Sequence, residues 1–235
     1  MSMPEKKSTW EWIVDIFAQY HSFYFEGLKF TLLLAVSGIV LGVLLGVLVA
    51  LARLSRFRAS RWAAMAYIDF IRSTPAIVQV GFFYYGVATL LPFKIPGWFG
   101  LPSEFYYGAI AVGINSSAYV AEIMRAGIQS VDKGQMEAAR SLGMSHAMAM
   151  RHIILPQAVK NIIPALGNEF VVVTKETAVV SIIGVGDLMY KAGIIRGITF
   201  RGLEPFFIVM VFYFVIVFTL SKLVGLLERR MRASD

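Results

Sequence analysis

Residues 30–52 read "FTLLLAVSGIVLGVLLGVLVALA", with no charged side chain and no proline. As a helix rising 1.5 Å per residue this run is about 34 Å long, enough to cross the roughly 30 Å hydrocarbon layer of a bilayer. Backbone in lipid must satisfy its own hydrogen bonds, and a continuous apolar run does so as a helix, whereas barrel strands would show as short alternating segments. Gly38, Gly42 and Gly46 recur every four residues and Ala50 takes the next step, so one helix face is smooth enough for a second backbone to approach closely. That face is for packing, and the sequence leaves open whether its partner belongs to this chain or to a second subunit.

The same reading extends outward. The composition is 57% hydrophobic and only 16% charged, and the mean hydropathy is +0.67, values that place most of the chain in lipid rather than water. Four further apolar runs cover residues 66–91, 105–124, 162–186 and 205–227. The expected fold is therefore an all-α membrane protein with five transmembrane helices across residues 30–227. Residues 1–29 form an extracytoplasmic or interfacial segment, and 228–235 a cytoplasmic tail. The absence of cysteine excludes disulfides and thiolate chemistry. Residues 1–29 lack a removable signal peptide pattern, so the first span is expected to serve as its own insertion signal.

Although the net charge is +7, where the basic residues sit matters more than their sum. Arg53, Arg56, Arg58 and Arg61 crowd the first connection, while residues 92–104 hold Lys94 alone. The bias of Lys and Arg places the N-terminus outside and the C-terminus in the cytoplasm. "STWEWIVDIFAQYHSFYFEG" (8–27) mixes Trp and Phe with carboxylates, as a helix lying in the outer interface does, and Trp98, Tyr106 and Tyr107 read as further interfacial anchors.

Between the third and fourth runs the chain turns polar. Residues 137–142 favour helix, Gly143 suits the left-handed position that ends one, and Ser145 suits the cap of another. Two short helices meeting at a bend result, and Ala147, Met148, Ala149 and Met150 give the second a compact, adaptable surface suited to a groove. A connector packed on its own bundle is the plainer reading of the same composition. Pro156 and Pro164 restrict the backbone that follows.

The spacing Glu137-Ala138-Ala139, Gly143, Ile153, Leu155-Pro156 resembles in full the EAA loop of ABC-transporter permeases of the importer type. "RSTPAIVQVGFFYYG" (72–86), "AYVAEIMRAGIQSVDKGQ" (118–135) and "KETAVVSIIGVGDL" (175–188) are similar to stretches of the branch that takes up polar amino acids. The likeness runs from about residue 25 to the C-terminus. It implies a type I importer permease core in a bacterial inner membrane, with residues 130–156 as a loop whose cytoplasmic coupling helix docks on a separate ATPase. Glu137, Ala138, Ala139, Gly143, Met144, Ser145, Met148, Arg151 and Pro156 are then the coupling residues. The implied partners are an ATPase dimer holding ATP and Mg, an identical or paralogous permease, an extracytoplasmic solute-binding protein and an amino-acid cargo.

The chain itself offers no phosphate-binding G-x-x-x-x-G-K-[ST], no H-E-x-x-H and no G-x-S-x-G, and its histidines are only His21, His146 and His152. It is expected to be non-catalytic, without a cofactor or metal of its own. An ionisable group in lipid needs a partner or a water-filled path. Asp69 with Arg72 and Glu122 with Arg125 are spaced to pair along a helix face. Glu169, Lys175 and Glu176 lie deeper in the fourth run, where an amino acid's ammonium and carboxylate would find acceptors and donors, joined by Thr177 and by Asn115, Ser116 and Ser117. Asn115, Ser116, Ser117, Glu122, Glu169, Lys175, Glu176 and Thr177 are thus the candidate pathway residues. An ion-coupled secondary transporter, or a membrane assembly factor that moves nothing, are the competing functions.

Overall fold

The computed structural model describes residues 7–90 and 95–232. Residues 1–6, 91–94 and 233–235, which hold Lys94 and the ends of the expected first segment, second span and tail, lie outside the described residues. The described chain is helical: α1 (Thr9–Arg53), α2 (Arg58–Ser73), α3 (Ala76–Gly81), a π-helical turn Phe82–Val87, α4 (Ala88–Leu90), α5 (Ser103–Gln129), α6 (Lys133–Ser141), α7 (His146–Ala149), a π-helical turn Met150–Ile154, α8 (Leu155–Glu176), a 3-10 segment Thr177–Ile183, α9 (Leu188–Thr199) and α10 (Leu203–Arg232). Among the described residues no strand occurs, and one isolated bridge joins Trp98 to Leu101.

α1 starts at a reciprocal cap, in which Ser8 Oγ accepts from the Glu11 N–H and Glu11 Oε2 accepts from the Ser8 N–H. It then runs for 45 residues, with one kink at Tyr20. The interfacial segment and first span expected as separate pieces are thus one continuous helix. Its N-terminal half is packed as well: Ile16 and Tyr24 are buried with Leu188, Ala192 and Ile195 of α9 and Ile208 and Val209 of α10. Lys191 Nζ pairs with Glu26 at 2.6 Å, and the Arg201 guanidinium lies 4.1 Å from the Trp12 ring centre.

The smooth face of α1 meets α5 of the same chain. A Cβ on Gly38 would stand 2.6 Å from Val112, one on Gly42 2.8 Å from Ser116 Oγ, and one on Gly46 2.6 Å from Val120. α5 answers with Gly113 against Leu41 and, nearer its end, Gly127 against Ile162 of α8. It sits at the centre of the bundle, its N-terminal half forming a core with Leu34, Val80, Val173, Val180 and Val185. Tyr107 belongs to that core at 3% exposure, its hydroxyl accepting from the Ile95 N–H at 3.1 Å, so it is a core residue and not an interfacial anchor; Trp98, at 57%, remains exposed.

Two apolar runs depart from the continuous helices expected of them. The second breaks at Thr74, which is extended (φ −113°, ψ 143°) ahead of Pro75, because proline lacks an N–H and bars its predecessor from the helical region. The fourth leaves the α geometry at Thr177, turns at Gly184 (φ +85°), and continues as α9, capped by Asp187 accepting from the Tyr190 N–H at 2.9 Å. α9 occupies what reads in sequence as an outer connection. By length and apolarity two helices among the described residues suffice to cross a membrane, Thr9–Arg53 and Leu203–Met231, or three if the pair bent by 48° around Gly184 is one span.

Candidate functional site

The residues singled out in sequence fall into a polar seam inside the bundle and a bent loop at one end of it. The seam is centred on α5. Consecutive residues on a helix point about 100° apart, so Asn115, Ser116 and Ser117 face three different neighbours. Ser117 Oγ lies 2.6 Å from Tyr67 Oη on α2, Ser116 Oγ donates to Glu169 Oε1 on α8 at 3.0 Å, and Asn115 Nδ2 donates to Gln79 Oε1 on α3 at 2.9 Å. Asn115, Ser116, Ser117 and Glu169 are all buried. Glu169 has no ion-pair partner among the described residues, and Ser116 donates its hydrogen bond.

In sequence Gln79 is a lone amide in an apolar run and carries no spacing signal. In the fold it stitches the helix break: Nε2 donates to Ile71 O at 2.7 Å, Thr74 O at 3.1 Å and Thr74 Oγ1 at 2.7 Å. Ile71 O and Thr74 O are carbonyls left without an N–H partner of their own helix at the Pro75 break. Beside it lies an apolar cavity of about 340 Å³ between α2, α3 and α5, lined by Phe70, Val78 and Phe82 among others.

The remaining pathway candidates are placed apart. Glu122 is held in an ion-pair triad, bonded by Arg53 from α1 and by Arg125 Nη2 at 2.9 Å, so it ties two helices together. Asp69 and Arg72 form no ion pair; Arg72 lies 5.5 Å from the Tyr119 ring centre instead. Lys175 and Glu176 are exposed at the end of α8. Thr177 is fully buried, its hydroxyl donating to Thr174 O at 2.9 Å, turned inward from that charged surface.

The loop bends where the glycine stands. Gly143 takes φ +86°, its N–H bonds to Arg140 O at 3.1 Å and the Met144 N–H to Ala139 O at 3.1 Å, the paired bonds that close a helix with a left-handed residue. Arg140 Nη1 adds a bond to Met144 O at 2.7 Å, and Ser145 Oγ accepts from the Met148 N–H at 3.2 Å to open α7. Ala139 and Ala149 are buried, at 2% and 0%, whereas Leu142 is 84% and Met148 50% exposed. Glu137, Ala138, Gly143, Ser145, Arg151 and Pro156 are exposed as well, and Met144 is half-buried. Two small residues therefore seat the bend, and its other face stays open. A cavity of about 470 Å³ lined by Met136, Met150 and Ile154 lies where the loop meets the end of α5.

Comparison with known proteins agrees with this architecture. The profile described as "Binding-protein-dependent transport system inner membrane component" matches residues 38–233. An arginine transport system permease protein of Bacillus subtilis (strain 168) is 39% identical over 213 residues, covering 91% of this chain and 94% of that one. A probable glutamine ABC transporter permease protein of the same organism is 39% identical over 221 residues, 94% and 99% of the two chains. Among solved structures, a chain from an amino acid ABC transporter with histidines is 49% identical with a TM-score of 0.84, over 91% of this chain and 96% of that one. An inward-facing methionine ABC transporter chain, 19% identical with a TM-score of 0.66 over 96% and 99%, shares the fold.

Proposed function

The chain belongs to the family of binding-protein-dependent transport system inner membrane components, and on that premise we propose that it forms the membrane path of an ATP-driven importer for polar or charged amino acids. It is a permease, a non-catalytic transport subunit, and ATP hydrolysis belongs to a separate chain. The names of its relatives, an arginine and a glutamine permease, support the cargo class.

In this reading five spans cross the bacterial inner membrane at about 30–52, 66–91, 105–124, 162–186 and 205–227, with the N-terminus outside and residues 228–235 in the cytoplasm. Residues 1–29 lie on the outer side. Two copies, or this chain and a paralogue, enclose the path, a soluble binding protein delivers cargo, and an ATPase pair carrying ATP and Mg works from below. The observation that carries the coupling role is the loop bent at Gly143, seated by Ala139 and Ala149 with Leu142 and Met148 uncovered. Closure of the ATPases pushes this peg and biases the bundle between inward-facing and outward-facing states, which requires each partner to prefer one state.

The polar residues follow from the same picture. Lys175 and Glu176 are exposed on a helix assigned to the membrane, and such groups face a partner or water. They line the path, with Glu169, Ser116 and Asn115 deeper along it; Glu122 serves as a structural tie. Met148→Cys tests the coupling role: it is expected to crosslink to the ATPase in the assembled complex, and crosslinking only to its own bundle rejects that role. Glu169→Gln and Lys175→Gln are expected to change uptake in vesicles with assembly intact. Unchanged affinity and maximal rate reject the path assignment.

A further inference from the structure

We infer that Gln79 is a positioning residue that fixes which end of the Asn115 side chain is offered to the transport path, making Asn115 a hydrogen-bond acceptor for the cargo. This rests on the proposed assignment of Asn115 to that path. Ile71 O and Thr74 O are carbonyls and only accept, so the end of Gln79 that meets them at 2.7 and 3.1 Å must be its NH2 group. Thr74 Oγ1 gives its own proton to Phe70 O at 2.9 Å and therefore also accepts from Gln79, at 2.7 Å.

With three acceptors on one end, the amide has no freedom to flip, and its oxygen is directed at α5. The atom of Asn115 that meets this oxygen at 2.9 Å must donate, so it is Nδ2. An amide whose two ends look alike in shape is thus oriented by chemistry alone. Asn115 Oδ1 is left on the other side. It has no protein partner among the described residues, yet it is absent from the buried unpaired side-chain oxygens, which are those of Tyr24, Asp187 and Tyr213. Asn115 is 8% exposed, and Oδ1 is therefore an accessible acceptor. An ammonium or guanidinium is the donor class it suits, since an acceptor meeting a charged donor makes the stronger bond.

A helix break elsewhere in the bundle needs its carbonyls satisfied too, so a purely structural role for Gln79 must be separable. Gln79→Met keeps length and removes every hydrogen bond, freeing Asn115 to turn. Gln79→Glu keeps an oxygen facing Asn115 Nδ2 in either protonation state while weakening the bonds to Ile71 and Thr74. The measurement is equilibrium binding of labelled arginine to the purified permease–ATPase complex without binding protein, alongside the thermal midpoint of each complex. Asn115→Ala is expected to weaken binding about tenfold or more, the scale of one bond to a charged group. Gln79→Met is expected to weaken it similarly, and the double variant no further than Asn115→Ala alone, because one residue acts through the other.

Gln79→Glu is expected to lower the thermal midpoint while retaining arginine binding. If Gln79→Met binds as the parent does while Asn115→Ala is weakened, or if the two effects add in full, the inference is overturned and the path assignment stands. If Asn115→Ala binds arginine normally, the assignment of Asn115 to the path fails, and this inference with it. If binding falls in step with the midpoint across Gln79→Met and Gln79→Glu alike, Gln79 only braces the break.

Discussion

Replacing Gly42 by alanine adds one methyl group where α1 lies against Ser116 of the polar seam. Its Cβ would stand 2.9 Å from Ser116 Cβ and 2.8 Å from Ser116 Oγ. Carbon atoms in contact prefer about 3.5 Å or more, so α1 and α5 must part by about 0.6 Å or Ser116 must turn away. Parting the helices is overpacking, at about 1–3 kcal/mol. Turning Ser116 breaks its bond to Glu169 Oε1 at 3.0 Å, and a hydrogen bond to a carboxylate contributes about 1.5–3 kcal/mol. Alanine's better helix propensity offsets about 1 kcal/mol of either cost. The net expectation is a loss of up to about 2 kcal/mol, which in a chain of this size lowers the midpoint by up to about 8 °C. Gly193→Ala is the matched control: it also lies in a helix, and nothing stands within 4 Å of its added Cβ. There the propensity gain acts alone, and the midpoint should rise by about 2–4 °C. Both are read by thermal unfolding in one detergent. Shifts of the same sign for the two variants would refute the close-approach reasoning.

Gly143→Pro forces φ to about −65° where the loop needs +86°; the bundle should stay folded while stimulation of the ATPase by binding protein is lost, as measured by phosphate release. Gly143→Ala meets no neighbour within 4 Å, so it should carry only the left-handed strain of about 1–2 kcal/mol and keep partial stimulation. Glu122→Gln leaves Arg53 and Arg125 facing one another, with side chains 22% and 30% exposed; it should destabilise by about 2 kcal/mol after allowance for solvent screening. Arg53→Ala keeps the Glu122–Arg125 pair and should cost less than half as much, a ranking that thermal midpoints check. Ser8→Ala removes the hydroxyl that caps α1 and should lower stability by about 1 kcal/mol, visible as faster amide exchange in the first turn.

What sequence makes visible here depends on how local the physics is. The run at 30–52 is legible because length and apolarity are properties of one segment, and the bend at Gly143 because a left-handed helix end has a residue preference of its own. The pairing of Arg53 with Glu122 is not legible, since the two are 69 residues apart and only the fold brings them together. Glu122 with Arg125, three residues apart on one helix, was expected and is formed. The break at Thr74 had its signal in Pro75, but hydropathy averages over single residues and passes it by. α9 was hidden for a different reason: Lys191 and Arg196 gave its stretch the look of a connection, while Ala192 and Ile195 bury their side of it completely.

The seam and the loop are joined by more than proximity. α5 carries Asn115, Ser116 and Ser117, and only residues 130–132 separate its end at Gln129 from α6. α8 carries Glu169 and rises directly from the π-helical turn that follows α7. Asn161 of α8 donates to Ser130 Oγ at 2.8 Å, and Gly127 of α5 lies so close to Ile162 that a Cβ there would stand 2.3 Å from it. A displacement of the bent loop therefore enters the two helices that share the Ser116–Glu169 bond, close to where they are clamped together. A packed interface of this kind does not deform continuously but shifts between arrangements. Under the proposed function, the mechanical input and the polar residues on the path are then two ends of the same helix pair, which is the arrangement a transporter driven from outside its own chain requires.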